Sequence, residues 1–558
     1  MKIRVSDIIS KFISDKGIDA VFILSGTGSI FLDDSLISNK NIRVIPFSNE
    51  ATGPMMASGY TQSRNKLGVV CVTTGPGGIN AISGLSEAWV DSIPILIISG
   101  QTEEKITIDG IKHSLRSFGI QGFNIINLVK HITKFSKIVL NPEEILYDLE
   151  KAFSKATSER PGPVWLDIPF NIQMAIVEED DLLKYEVPQQ IESSVNITHL
   201  LKLLETSKKP IIVAGGGIKH SNSLDKLVTI AKNLSIPIVF SRMGQGLLPF
   251  SHRNNFGHGG IRGHRISAKV FKEADLLIGL GSRFATGFSG HKLAHNITAK
   301  LVIVDIDINE IDKLDTRTTL KYNCDVKNFL ESWVSACSNT DLNFAPWLEE
   351  CQIYKEHLKF NFNSLQNKNP INLYYLVHVI DKLTEANHII ISDAGSSYYA
   401  TGQALTFEKG QKEIVSGNFA SMGIALPHAI GAAVADSTKQ IIAIIGDGSI
   451  ETNIQELKTL AANHLNVKLF IINNNGYASI RNTQDTFCES RYIKSESTIL
   501  DFEKIAAAFN ISYYKLDNAS SLNNDIKKIL SMDTNPALTE VICDSNQKII
   551  NPYEEIKI

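Results

Sequence analysis

Cysteine is scarce in this chain and forms no pattern. Cys71, Cys324, Cys337, Cys351, Cys488 and Cys543 stand singly with no CxxC pair, which excludes a disulfide scaffold and a cysteine zinc site. Long apolar runs are missing too. Nothing approaches the ~20 residues of a membrane span, and the N-terminal MKIRVSDIISKFISDKGIDAVF breaks its apolar residues with charges, unlike a signal peptide. Neither sign of charge dominates: 55 basic residues face 59 acidic ones for a net charge of −4, so no nucleic acid or anionic membrane is expected as partner. There is no short-period repeat and no low-complexity tract. A GxGxxG behind a first strand with an acidic residue about 20 positions on is also lacking, which argues against an NAD-dependent oxidoreductase. What remains is a soluble globular protein expected in the cytoplasm.

The 558 residues are too many for one hydrophobic core, and chains of this length divide into domains of roughly 100–200 residues. Short apolar, β-branched runs recur along the chain, among them Val69–Val72, Ile95–Ile98, Ile211–Val213, Val302–Val304, Ile389–Ile391, Ile441–Ile445 and Leu469–Ile472. They are apolar on both faces, as strands inside parallel sheets are, and amphipathic stretches separate them. The expected fold class is α/β, with three doubly wound parallel-sheet domains. Polar segments at 177–194 and 338–345 mark the linkers and give units of 1–176, 190–337 and 347–558.

The strongest motif lies in the third unit. The run Ile441–Ile445 leads into GDGSIETNIQEL, and the next apolar run ends in NNNGYAS. Loops at the C-terminal edge of a parallel sheet are where ligands bind. A diphosphate needs a hard cation, and Mg²⁺ takes six oxygen ligands. Asp447 offers a carboxylate oxygen, Asn474 an amide oxygen and the region of Gly476 a backbone carbonyl. Gly446 and Gly448 permit close approach of backbone to phosphate, and the helix beginning near Ser449 points free N–H groups at an anion. A GDG alone is an ordinary strand-to-helix turn; its pairing with the later Asn element makes it distinctive. In the first unit, the run IRVIPF ends in SNEATGPMMASGYT, which places Glu50 at a strand edge before a small-residue helix. Such a flank suggests a packed site that raises the carboxyl's pKa.

The GDG-to-NN arrangement resembles the signature of the thiamine-diphosphate (ThDP) enzyme superfamily, and the first unit resembles the N-terminal domain of acetolactate synthase and its relatives. The similarity covers nearly the whole chain. It implies pyrimidine-binding, central and diphosphate-binding domains. It also implies metal ligation by Asp447, Asn474 and Gly476, and a catalytic Glu50 that bonds the aminopyrimidine of the cofactor. Further residues follow from the same resemblance: Gly28, in the turn beside the reacting centre; Gln121, in the pocket; Gly395, Ser396 and Ser397, on the diphosphate; Met422, propping the bent cofactor; and Gly446, Gly448, Ser449 and Tyr477, around it. The central unit of acetolactate synthases holds FAD as a support, for which AGGGI, Arg283 and Asp305 are candidates, although Ala285 and Thr286 replace the family's acidic pair. The resemblance implies a homodimer or homotetramer with active sites at the subunit interface. The expected activity is decarboxylation of pyruvate or a related 2-oxo acid and carboligation to a carbonyl acceptor. A simple decarboxylase, a C–C hydrolase or lyase in modified-sugar or polysaccharide synthesis, and a non-catalytic ThDP-binding subunit are the alternatives. Arg481 offers an anion contact, and His113 and His428 offer proton transfer.

Overall fold

The computed structural model describes residues 1–188, 194–285, 298–314, 318–337, 340–492, 500–532 and 534–553. Thr286 and parts of both expected linkers lie outside these residues. Three six-stranded sheets organise the chain. The first runs, edge to edge, Arg43–Pro46, Ala20–Leu24, Gly68–Val72, Ile95–Gln101, Val164–Pro169, Phe135–Ile138. The third runs Lys412–Val415, His388–Ser392, Gln440–Gly446, Val467–Asn473, Ala537–Ile542, Ser512–Leu516. Their strand orders are the same: second in sequence, then first, third, fourth, sixth and fifth. All neighbours within these two sheets are parallel.

The middle sheet differs. Its order is Asn255–His258, Ile238–Phe240, Pro210–Ala214, Leu276–Leu280, Lys300–Asp305, Leu320–Asn323, the arrangement of dinucleotide-binding folds. Order reverses between Pro210–Ala214 and Leu276–Leu280, so a ligand crevice is expected beyond those strand ends.

The apolar runs form strands because both sheet faces are covered. Ile441, Ile442, Ala443, Ile444 and Ile445 are all fully buried, and each large side chain among them contributes roughly 1.5–3 kcal/mol. Helices show the complementary period: Leu224–Leu234 buries Leu227, Ile230, Ala231 and Leu234 and turns its lysines outward.

Two elements extend past the expected boundaries. Strand Lys2–Arg4 pairs antiparallel with Ile176–Glu178, so the first unit closes on itself through residue 178. Helix Ala345–His357, expected in the third unit, instead packs on the central sheet. Its Trp347, Leu348 and Cys351 share a core with Ile211, Val213 and Leu277, and Trp347 Nε1 donates to Pro210 O at 3.2 Å. The third unit's own core begins at Leu365 and Ile371.

First and third units join through helices Thr52–Arg64 and Ala425–Ala435. Glycines make the approach possible. A Cβ on Gly59 would come 2.8 Å from His428 Cα, and one on Gly431 would come 2.8 Å from Tyr60 N. No helix among the described residues is long and apolar enough to cross a membrane.

Candidate active site

Asp447 follows strand Gln440–Gly446 at the C-terminal edge of the third sheet and is 5% exposed. Its Oδ1 accepts from Gly448 N at 2.8 Å, and its Oδ2 from Gly476 N at 2.8 Å and Asn474 N at 3.2 Å. Burial raises the carboxyl's pKa, and those backbone N–H groups and the Arg481 charge oppose the rise. One carboxylate thus ties together both motif loops. The backbone turns at Asn475 and Gly476, with φ of 64° and 87°. Tyr477 lies against Gly448 so closely that a Cβ there would stand 2.9 Å from Cδ1 of its ring.

Arg481 is engaged by the protein's own backbone. Its guanidinium donates to Asn475 O at 2.6 Å, Asn474 O at 2.8 Å and Ser545 O at 3.2 Å, and so holds the loop's carbonyls.

Gly395, with φ of 67°, caps helix Ser396–Ala404. Ser397 Oγ is committed to Ala394 O at 2.9 Å, whereas Ser396 is half-buried and faces the cavity. Met422 sits on the loop before helix Ala425–Ala435, with its carbonyl accepting from Thr452 Oγ1 at 2.9 Å. Two carboxylates that sequence reasoning missed hold this loop. Asp393, pushed up to about 6 by burial, accepts from Gly423 N at 3.2 Å and Ala425 N at 3.0 Å. Asp91, from the first unit, accepts from Gly417 N at 2.7 Å, Ser416 Oγ at 3.0 Å and Asn418 N at 3.2 Å. Neither belongs to a motif with metal or nucleophile spacing; their only signal was a lone acid next to a strand or helix end.

Gly395, Ser396, Ser397, Met422, Gly446, Asp447, Gly448, Ser449, Asn474, Gly476 and Tyr477 all line one cavity of about 1070 Å³. The cavity continues to the crevice of the central sheet, where Gly216, Gly217, Ser282 and Asp305 line it. Arg283 lines it as well, donating to Val90 O with Nη2 3.6 Å from Asp91. Asp305 accepts from Asp307 N at 3.0 Å. No cluster of three or more His, Cys, Asp or Glu able to hold a metal occurs among the described residues. A cation at Asp447 and Asn474 would therefore depend on carbonyl and diphosphate oxygens for the rest of its shell.

Glu50, Gly28 and Gln121 do not line this cavity. Glu50 is half-exposed in the single chain, not enclosed as its flank suggested, and its Oε2 accepts from Asn80 Nδ2 at 3.0 Å. Its backbone neighbourhood is fixed from the third unit by Glu456, a third carboxylate missed from sequence. Glu456 is fully buried and accepts from Ser48 N and Asn49 N at 3.1 Å and from Thr52 Oγ1 at 2.9 Å. The GDG segment thus carries Asp447 near its start and, nine residues on at Glu456, the clamp on the Glu50 turn. Gly28 is pressed against Thr74, leaving no room for a Cβ, and its carbonyl accepts from Gln173 Nε2 at 2.7 Å. Gln121 is exposed on a loop with φ of 61°.

Of the two histidines, His113 is exposed just after helix Glu104–Lys112. His428 is fully buried with Nε2 3.1 Å from Glu87 Oε1, across the contact between first and third units, and does not line the cavity.

Family models agree with this layout. Residues 3–117 match the N-terminal TPP binding domain of thiamine pyrophosphate enzymes, 197–332 the central domain and 393–541 the C-terminal TPP binding domain. The chain is 30% identical over 552 residues to the acetolactate synthase large subunit of Lactococcus lactis subsp. lactis, covering 98% of this chain and 93% of that one. It is 29% identical to the chloroplastic acetolactate synthase of Arabidopsis thaliana, covering 98% and 82%. It is 28% identical to the acetolactate synthase isozyme 1 large subunit of Escherichia coli K12, covering 98% and 94%. The chain belongs to the thiamine pyrophosphate enzyme family, as an enzyme of the acetolactate synthase-like, ThDP-dependent type.

Proposed function

We propose that this enzyme decarboxylates pyruvate or a closely related 2-oxo acid and joins the resulting two-carbon unit to an acceptor carbonyl. The observation that carries the reading is the Asp447 carboxylate bound to the N–H groups of Gly448, Asn474 and Gly476. The residues of both motif loops line one cavity. The residues fit a Mg²⁺–diphosphate group. The Asp447 carboxylate, the Asn474 amide oxygen and the Gly476 carbonyl would hold the ion, and Ser396 and the N–H groups after Gly395 and Gly446 would bind the phosphates. A thiazolium bound there would supply the electron sink that decarboxylation of a 2-oxo acid needs. Glu50 would hold and release the proton at the pyrimidine ring, and Met422 would support the cofactor.

Glu50 lies outside the cavity of its own chain, so the reading requires two copies. Glu50, Gly28 and Gln121 of one chain complete the site that holds Asp447 of the other. A homodimer is the smallest assembly that satisfies this. The central crevice suits the nucleotide part of a flavin: it has the dinucleotide-binding strand order, a glycine turn and the Asp305 carboxylate. Six free cysteines, four of them buried, fit a reducing compartment such as the cytoplasm.

The test is purified protein with ThDP, Mg²⁺ and pyruvate, with products followed by NMR and the visible spectrum recorded first. CO₂ together with a carboligation product supports the reading, and a flavin band supports the central-domain assignment. Absence of both CO₂ release and cofactor C2 proton exchange sinks the catalytic part.

A further inference from the structure

Four arginines line the cavity, and three of them are spoken for. Arg160 donates to Asp307 at 2.6 Å and Glu310 at 2.9 Å. Arg242 forms a two-pronged pair with Glu413 and also reaches Thr401 Oγ1 at 3.0 Å. Arg283 is held by Val90 O and stands beside Asp91. Arg262 has no hydrogen bond and no acidic partner among the described residues. Its charge rests only over the ring of Tyr399, 5.5 Å from the centroid.

The position of Arg262 is fixed although its charge is unmatched. It lies between strand Asn255–His258 and helix Arg265–Glu273, in a turn closed by Gly263 N on Gly260 O at 3.0 Å and His264 N on His258 O at 2.9 Å. Gln403 of the third unit donates to Gly263 O at 3.0 Å. Tyr399 and Gln403 both belong to helix Ser396–Ala404, which starts at the expected diphosphate contacts. The turn is therefore docked on the element that faces the cofactor. An aromatic ring covers one face of a guanidinium and leaves its edge N–H donors free. None of the described acids that line the cavity takes those donors: Asp91 holds the 416–418 loop, Glu413 pairs with Arg242, Asp447 holds its own motif, Asp305 accepts from Asp307 N, and neither Glu159 nor Asp325 bonds to Arg262. A half-buried guanidinium with free edge donors is built for an oxyanion that arrives from outside.

We infer that Arg262 anchors the anionic group of a substrate in this cavity. The group is either the carboxylate of the 2-oxo acid donor or a phosphate carried by the acceptor. The inference rests on the proposed function only for which substrate is involved; the anion site itself is a property of the cavity.

Two unreactive probes test it by equilibrium titration of the full protein with ThDP and Mg²⁺ added. Oxamate carries the carboxylate of a 2-oxo acid, and glycerol phosphate carries a phosphate without a carbonyl. The wild-type protein binds one of them, and Arg262→Gln weakens that binding by roughly tenfold or more. Arg262→Lys, which keeps the charge without the planar fork, weakens it less. ThDP affinity is the same in all three proteins, which separates an anion anchor from a damaged fold. Loss confined to oxamate assigns the donor's carboxylate, and loss confined to glycerol phosphate assigns the acceptor's phosphate. Equal affinities in wild type and Arg262→Gln overturn the inference, as does a wild-type protein that binds neither probe. Failure of the wild type to load ThDP would count against the proposed function instead, and the same titrations would still decide the anion site.

Discussion

Asp447 and Glu50 are both carboxylates at strand ends, yet their surroundings ask different things of them. Asp447 is nearly closed off from solvent, and its two oxygens already accept three backbone N–H groups. Burial still raises its pKa, so the charged form wants a cation nearby. Replacing Asp447 with Ala removes both the ligand and the tie between the loops. Mg²⁺-dependent ThDP binding should weaken by at least about tenfold, measured by titrating ThDP at fixed Mg²⁺; an unchanged affinity would rule Asp447 out as the ion's ligand. Glu50 carries no such load in its own chain, where its side chain accepts one hydrogen bond among the described residues, from Asn80. Glu50→Gln should therefore leave ThDP affinity nearly intact while slowing C2 proton exchange about a hundredfold or more, as read by NMR in deuterated water. Exchange at the wild-type rate would remove Glu50 from the mechanism. The meeting of Asp447 with the Asn474–Gly476 loop was legible in the sequence because each follows an apolar run that becomes a neighbouring strand of one parallel sheet. Asp91, Asp393 and Glu456 were not, because their partners are backbone N–H groups of distant segments, and every residue but proline offers one.

At the scale of elements, strands were the most readable feature. An apolar run covered on both faces has little choice of conformation, and Ile389–Ile391 and Ile441–Ile445 became neighbours in one sheet. Helix Ala345–His357 was misplaced because an amphipathic helix shows which face it buries and not which sheet it is buried against. A further property became visible only with the strands paired. Asp167, in the strand Val164–Pro169, is fully buried between Ser99 Oγ at 2.5 Å and Gln101 Nε2 at 2.9 Å. Burial pushes its pKa up to about 7 against the opposing pull of those two donors. A carboxyl whose pKa is raised on folding favours the folded state at low pH, and that contribution fades as pH climbs from the ordinary aspartate value through about 7. Asp167→Asn, which mimics the protonated form, should therefore gain on the wild type in thermal stability between pH 4 and about 7. Above that the difference should stay constant. A gap independent of pH across this window would show that Asp167 is ionised in the folded protein throughout.

At the scale of the molecule, the first and third units share one strand order and lie against each other through helices Thr52–Arg64 and Ala425–Ala435. That internal contact buries Glu87 and His428 and lets Glu456 fix the turn before Glu50. Yet it leaves Glu50 outside the cavity where Asp447 and Met422 meet. The intrachain packing thus sets the orientation of Glu50 away from this cavity, and under the proposed function a second chain brings the cofactor to it. Mixing two inactive chains tests this directly. In a dimer of one Glu50→Gln chain and one Asp447→Ala chain, one site carries both lesions and the other carries neither. Random assembly on co-expression makes about half the dimers mixed, each with one intact site, so activity should return to about a quarter of the wild-type value. Separately purified chains, mixed without subunit exchange, should stay inactive. If Glu50 served the Asp447 of its own chain, every site in every dimer would carry a lesion and co-expression would restore nothing.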